Sequence, residues 1–204
     1  RAEASAKVLV LPPQRMAEYC SERMEEVVRG NDKALLLDLT SYAAQAQARM
    51  GKHLAALANE EQVLKLAIAL DLPFEAGVSA NNLGELNHRL GRKEEALMAY
   101  NKGLIMVEDL PLVRLHMQVN AAHAHAKSNQ FETASKLLDD AERTARKANM
   151  KTLLPRLYRA KATVSSLQGD FGLAQVAALD ALAMAEELRN EPEQAEACEI
   201  LAMI

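Results

Sequence analysis

The sequence has few of the residues that disulfide frameworks, membrane spans and nucleic-acid surfaces need. Its two cysteines, Cys20 and Cys198, lie far apart, so it has neither a disulfide framework nor the cysteine spacing of a metal site. No stretch approaches the ~18 uninterrupted apolar residues of a membrane span. A net charge of -4 and only 3% aromatic residues argue against a basic, base-stacking surface. We therefore expect a cytoplasmic protein that binds neither a membrane nor nucleic acid directly.

Motifs for chemistry are also missing. The sequence contains no phosphate-binding loop, dinucleotide fingerprint, nucleophile elbow or zinc-protease helix motif. His123 and His125 are two residues apart, so on a helix they point away from each other, and His116 and His123 share a face without a third metal ligand. Nothing pairs a nucleophile with a base. We expect no catalytic residue, metal site or cofactor, and therefore no enzyme.

The apolar residues follow the period of an α-helix along almost the whole chain. They make up 50% of the sequence, and no segment alternates with the period of a β-strand. One stripe consists of Phe131, Ala134, Leu137, Leu138, Ala141, Ala145 and Ala148. The pattern predicts an all-α fold.

A repeat of about 40 residues organises these helices. Its markers are Ala56, Ala96, Ala134 and Ala174, at spacings of 40, 38 and 40 residues. Gly or Asn precedes each of these alanines by five residues and marks the turn inside a helix hairpin. A proline lies near the start of the first helix of each following pair. Each repeat is therefore a hairpin of a first (A) and a second (B) helix. The pattern predicts A helices over about 33–50, 73–90, 111–128 and 151–168, and B helices over about 53–70, 93–107, 131–148 and 171–189.

The ends continue the same pattern. Ala17 lies 39 residues before Ala56, which predicts a B helix of an earlier repeat over about 13–29, and residues 192–204 resemble a further A helix. We expect a single repeat domain over residues 1–204, with repeats 31–70, 71–110, 111–150 and 151–190 and partial repeats 1–30 and 191–204. The sequence begins without Met and ends inside an apolar helical pattern, so we expect a fragment of a longer protein. Because neither end carries a polar cap, we expect it to form a homodimer, or to aggregate, through the ends of the array.

Two segments resemble the signature of the tetratricopeptide repeat family. They are Ala-Asn-Asn-Leu-Gly-Glu-Leu at 80–86 and Leu-Gly-Arg-Lys-Glu-Glu-Ala-Leu-Met-Ala-Tyr at 90–100, which place Leu83, Gly84, Ala96 and Tyr100 at the family's packing positions. Glu60 stands where Tyr100 does, and the period exceeds the family's usual ~34 residues, as in longer-period bacterial arrays. HEAT repeats are the alternative. The resemblance implies a right-handed superhelix of antiparallel helix hairpins.

The resemblance further implies that the A helices line a concave, ligand-binding groove. The inward positions include Ser41, Gln45 and Arg49, and the candidate ligand-binding residues are Asn81, Glu85, His88, His116, Asn120, His123, Arg156 and Arg159. Amide side chains donate and accept hydrogen bonds together, which suits an extended peptide backbone, although any solvated groove is polar. In some family members such a groove holds a peptide C-terminus, and Asn82 and Asn120 occupy matching positions here.

Arg156 and Arg159 need a separate explanation, because they lie near the start of an A helix, where the helix dipole disfavours cations. An internal Asp or Glu partner is the favoured explanation. The alternative is an acidic side chain or terminal carboxylate of the ligand, for which these two residues are the best candidates.

Three functions are consistent with this sequence. The leading hypothesis is a non-catalytic scaffold whose groove binds a protein or peptide partner, with an acidic or carboxylate group of that partner as a candidate contact. The second is a regulatory or sensor segment that controls an attached signalling or DNA-binding domain. The third is a homo-oligomerisation scaffold.

Overall fold

The computed structural model describes residues 11–204, and its helices lie where the repeat predicts them. Every predicted helix is present, with ends that differ by three residues at most, so the all-α repeat prediction is confirmed. Within the described range there is no strand, and no helix is long and apolar enough to cross a membrane. The helices are α1 (Pro13–Gly30), α2 (Lys33–Arg49), α3 (His53–Ala69), α4 (Pro73–Arg89), α5 (Lys93–Met106), α6 (Pro111–Lys127), α7 (Phe131–Lys147), α8 (Leu154–Gln168), α9 (Phe171–Glu187) and α10 (Glu191–Met203).

The glycines and prolines between the helices end one helix and begin the next, as the sequence predicts. Gly51, Gly91 and Gly169 have φ values of 74°, 75° and 88°, in the left-handed region that glycine adopts at little cost. After Gly51, the backbone N–H of Lys52 returns to the Gln47 carbonyl at 2.9 Å, so carbonyls at the end of α2 are satisfied. Proline occupies the first turn of five helices, where a missing N–H breaks no hydrogen bond.

The described residues fall into two compact units, one ending at Val107 and one beginning at Glu108. In the first unit, each of the helices α1 to α4 packs against the next one along the chain. In the second unit, α8 packs against α6, α7, α9 and α10, and α6 also packs against α7. The expectation of a single domain over 1–204 stays a prediction, and residues 1–10 of its first partial repeat lie outside the described range.

The B helices share one buried stripe, at positions i, i+4, i+7 and i+11. In α7 the stripe is Ala134, Leu138, Ala141 and Ala145, and in α9 it is Ala174, Ala178, Ala181 and Ala185. In α1 the positions i, i+4 and i+11 are Met16, Cys20 and Val27, all buried, whereas i+7 is the exposed Arg23 and Ala17 is only half-buried. Assigning Ala17 as the first repeat marker is therefore wrong by one residue. Met16, 40 residues before Ala56, occupies that position because it shares the face of Cys20 and Val27.

Candidate functional site

Tyr100 and Gly84 fix the contact between α5 and α4. The Tyr100 side chain is 2% exposed, and a methyl group placed on Gly84 would lie 2.4 Å from its ring. Only glycine leaves room for the ring at this distance. Burial, with a smaller contribution from Glu85, raises the pKa of Tyr100 well above its usual range. The tyrosine is therefore a packing residue, as the sequence predicts.

The equivalent position of the preceding repeat holds a buried carboxyl group. Glu60 of α3 is 3% exposed, and its Oε1 accepts a hydrogen bond from Nδ2 of Asn82 at 2.9 Å. The Ser79 hydroxyl lies 2.8 Å from Glu60 Oε2 and also 2.8 Å from the Glu60 backbone carbonyl. One hydroxyl proton cannot serve both acceptors fully, whereas a protonated Glu60 could donate to Ser79 itself. Burial raises the pKa of Glu60, although the hydrogen bonds from Ser79 and Asn82 oppose it.

A crevice opens between α2 and α4 above this carboxyl group. It contains two cavities of about 340 Å³ and 180 Å³, and Glu60 and Asn82 line both of them. The larger cavity is also lined by Ala44, Gln45, Ala48, Arg49, His53, Glu85, Leu86 and Arg89. The smaller cavity is also lined by Leu37, Asp38, Ser41, Tyr42, Val63, Phe74, Glu75, Val78 and Ser79. The crevice thus lies entirely within the first unit.

The two cavities differ in charge. Around the larger one, Arg89 forms an ion pair with Glu85 at 2.6 Å, and Arg49 adds a second guanidinium group. His53 also lines it, and its Nδ1 atom is buried without a hydrogen-bond partner in the described part of the chain. The charged residues that line the smaller cavity are all acidic. Along the parallel A helices α2 and α4, the crevice therefore runs from an acidic to a mainly basic end.

The candidate residues of the first unit are only partly brought together. Glu85 lines the larger cavity, together with Gln45 and Arg49. Asn81 and His88 are half-buried and line neither cavity. In the sequence, Glu60 is a departure from the family signature, and this departure is the one signal that points to the crevice.

In the second unit, three candidate residues come together at α6 and α8. The Arg156 Nη2 atom lies 3.5 Å from Asn120 Oδ1, and burial, with the nearby Arg156 charge, lowers the pKa of His116. His123 is half-buried on the same helix as Asn120. Among residues 11–204, no group of three His, Cys, Asp or Glu side chains is placed to hold a metal ion.

Arg159 has internal acidic partners. Its Nε atom lies 3.1 Å from Glu193 Oε2, and its Nη1 atom lies 2.6 Å from Glu196 Oε2. Both carboxylates belong to α10, so they offset the unfavourable position of the cation near the start of α8. This arrangement matches the internal explanation that the sequence favours, and it leaves Arg159 less available to an acidic ligand.

A second ion-pair network joins α8 to α7. Lys161 Nζ lies 2.7 Å from Glu142 and 2.8 Å from Asp139, while the Tyr158 hydroxyl donates to Glu142 at 2.8 Å. Burial acts against ionisation of Glu142, but the donors Lys161, Tyr158 and Arg146 outweigh it and lower its pKa to about 2. The network joins α7 to α8, and its charged groups are paired with each other.

Comparison with known proteins identifies the fold. No family model matches the chain, and no curated protein matches it. Among solved structures, BtubC (BKLC) from P. vanneervenii shares 19% identity, with a TM-score of 0.72 over 94% of this chain and 85% of that chain. PlcR from Bacillus thuringiensis, solved with the peptide PapR7 and DNA, shares 12% identity, with a TM-score of 0.71 over 96% and 73%.

A third similar structure is named for its repeats. It is a signal transduction ATPase of the STAND class from Pyrococcus horikoshii with a tetratricopeptide repeat sensor. It shares 13% identity, with a TM-score of 0.70 over 98% of this chain and 35% of that chain. This chain has a tetratricopeptide-type fold. The resemblance drawn from Leu83, Gly84, Ala96 and Tyr100 is therefore confirmed at the level of the fold.

Proposed function

We propose that this chain is a non-catalytic scaffold that binds an extended segment of a protein partner, and that the crevice between α2 and α4 is its main binding site. The observation that carries the proposal is the open crevice itself. It offers a cavity of about 340 Å³, within the size range of ligand sites, with a mostly apolar lining and several hydrogen-bonding groups. The solved complex of PlcR with the peptide PapR7 gives independent support, because its fold is similar.

The second unit offers less room for a segment between its A helices. There α8 packs directly against both α6 and α10, and Arg159 is held by Glu193 and Glu196. His116, Asn120, His123 and Arg156 nevertheless form a polar face of that unit, at positions where the sequence predicts ligand contacts. We propose this face as a second binding surface, treated separately from the crevice.

A selection from a displayed library of random 12-residue peptides tests the proposal. Gln45 is exposed at the larger cavity, so Gln45→Trp would fill the crevice without disturbing the core. Gln62→Trp is the matched control, because Gln62 is exposed on α3 and lines neither cavity. We expect selected peptides to bind the wild-type chain and Gln62→Trp but to lose most of their affinity for Gln45→Trp.

Two outcomes would count against the proposal. Equal binding to all three proteins would move the site away from the crevice, and Asn120→Ala would then test the polar face of α6. Failure to recover any peptide, from a protein that circular dichroism shows to be helical, would remove the peptide-binding function itself.

We propose a regulatory role as the second candidate. Two of the similar structures support it, since PlcR was solved with both a peptide and DNA and the Pyrococcus protein carries its repeats as a sensor. In that case peptide binding would control an attached signalling or DNA-binding domain. Measuring the activity of that domain in the full-length protein, with and without a selected peptide, would distinguish this role from simple scaffolding.

A further inference from the structure

Helix α9 carries a second apolar stripe on the side away from its packed one. The packed stripe begins at Ala174 and is buried along its whole length. Each residue of the second stripe lies two residues before a member of the packed stripe, which places it on roughly the opposite side of the helix. This outer stripe consists of Gly172, Val176, Leu179 and Ala183, all exposed. A helix that is apolar all round is normally buried all round, and within residues 11–204 nothing covers this side of α9.

The other B helices do not repeat this outer stripe. In α7 the four equivalent residues are all charged, and two of them form an ion pair between Lys136 and Glu132 at 2.7 Å. In α1 all four are polar, and in α3 and α5 two of the four are polar. The repeat itself therefore gives no reason for an entirely apolar outer stripe, and α9 needs a different explanation.

The exposed apolar surface is large enough for a weak interface. Leu173, Val176 and Leu179 are 61%, 58% and 49% exposed, so each leaves roughly 100 Å² of mainly apolar surface in water. With Gly172, Ala183 and the polar groups at the rim, two such faces would bury roughly 1,000 Å² in total, the lower limit of a specific interface. This area is that of a dimer that dissociates on dilution, not of an obligate one.

We propose that two copies of this chain associate through the outer stripes of their α9 helices, packed antiparallel about a two-fold axis. In that register Val176 of one copy lies opposite Leu179 of the other, and Gly172 lies opposite Ala183, so the stripe is complementary to itself. The small residues at both ends of the stripe let the helices approach closely. Glu187, at the C-terminal end of one α9, comes beside the N-terminal end of the other, where the helix dipole favours an anion.

Sedimentation velocity at protein concentrations from about 5 to about 500 μM tests the association. We expect the wild-type chain to change from monomer to dimer over this range. The double variant Val176→Lys, Leu179→Asp copies the residues of α7 and leaves the net charge unchanged. Because it places charges in the contact, it should raise the dissociation constant at least about tenfold.

Met98→Lys, Ile105→Asp is the matched control. Both residues are exposed on the outer side of α5, so the control removes two apolar side chains and adds the same two charges at another B helix. It should dimerise like the wild-type chain. Circular dichroism at 222 nm shows whether each variant is folded.

Disulfide formation tests the antiparallel register. In a Cys198→Ser background only the buried Cys20 remains, so a new cysteine is the one accessible thiol. Gly172→Cys and Ala183→Cys chains, mixed in equal amounts and oxidised, should form the mixed disulfide in excess over a statistical mixture, because like positions lie about 16 Å apart along the helix axis.

Three outcomes would overturn the inference. The wild-type chain could stay monomeric up to about 500 μM, or the α9 variant could dimerise as well as the α5 control, which would place the contact elsewhere, for example at the ends of the array. A statistical mixture of disulfides would refute the antiparallel register. None of these results affects the proposed function, because no residue of α9 lines the crevice.

Discussion

The contact between Gly84 and Tyr100 leads to a sharp prediction for protein stability. In Gly84→Ala the new methyl carbon would lie 2.4 to 2.7 Å from three carbons of the tyrosine ring, well inside van der Waals contact. The ring is 2% exposed, so it cannot move into solvent, and α4 must shift away from α5. Packing clashes of this kind cost about 1–3 kcal/mol, and we expect the upper end.

Helix propensity acts in the opposite direction. Replacing a glycine inside a helix by alanine stabilises the helix by about 1 kcal/mol. The two effects leave a net loss of about 2 kcal/mol for Gly84→Ala, which would lower the urea midpoint by about 1 M. Unfolding followed by circular dichroism at 222 nm measures this shift.

Gly172→Ala is the matched control, because Gly172 also lies in a helix but has only the Asp170 carboxylate near its missing methyl group, at 3.7 Å. We expect the control to raise the midpoint. A second test combines Gly84→Ala with Tyr100→Leu, which copies the natural pair Ala122 and Leu138. The double variant should be more stable than the sum of the single effects predicts. If Gly84→Ala behaves like the control, the contact with the tyrosine ring is not the reason for the glycine.

Three further predictions concern single polar groups. Because the pKa of Glu60 is raised in the folded state, the free energy of unfolding should fall as pH rises above about 4.5; Glu60→Gln should remove that fall in urea titrations between pH 4 and 8. Because the pKa of Glu142 is lowered to about 2, the stability that its charge contributes should be lost as pH falls from about 4.5 towards 2. In urea titrations, Glu142→Gln should therefore lower the free energy of unfolding by about 1–3 kcal/mol at pH 7 and by less at pH 3. Asp170 caps α9 by accepting from the Leu173 N–H at 3.0 Å, so Asp170→Ala should cost about 1 kcal/mol in chemical denaturation.

Local signals were sufficient to predict the helices. Each helix end depends on residues that act within one turn, such as Gly51 in the left-handed conformation or Pro73 in a first turn. These signals recur at nearly constant spacing, so an error at one end does not propagate to the next repeat. The exception is α1, where Met16 and Ala17 are both apolar neighbours and only the packed face distinguishes them.

The crevice could not be predicted in the same way. Its existence depends on how closely α2 and α4 approach, which a helical pattern does not determine. The one available signal was Glu60, a carboxyl group in a column of packing residues. A carboxyl group at a packing position indicates that packing is not the reason for the residue. It is therefore a stronger sign of a candidate site than polar residues along an A helix, whose contact with solvent alone can explain them.

Arg159 illustrates the opposite case, in which an unusual charge has an internal explanation. In a tandem repeat, the side chains of one A helix meet those of the next, so the partners of Arg159 should be sought about one repeat later. Glu193 and Glu196 lie 34 and 37 residues further along the chain and make contact with it. For Glu60, the equivalent residue one repeat later is Tyr100, which is buried and carries no charge. The carboxyl group is held instead by the neutral groups of Ser79 and Asn82, beside two cavities, so hydrogen bonds rather than ion pairs stabilise it.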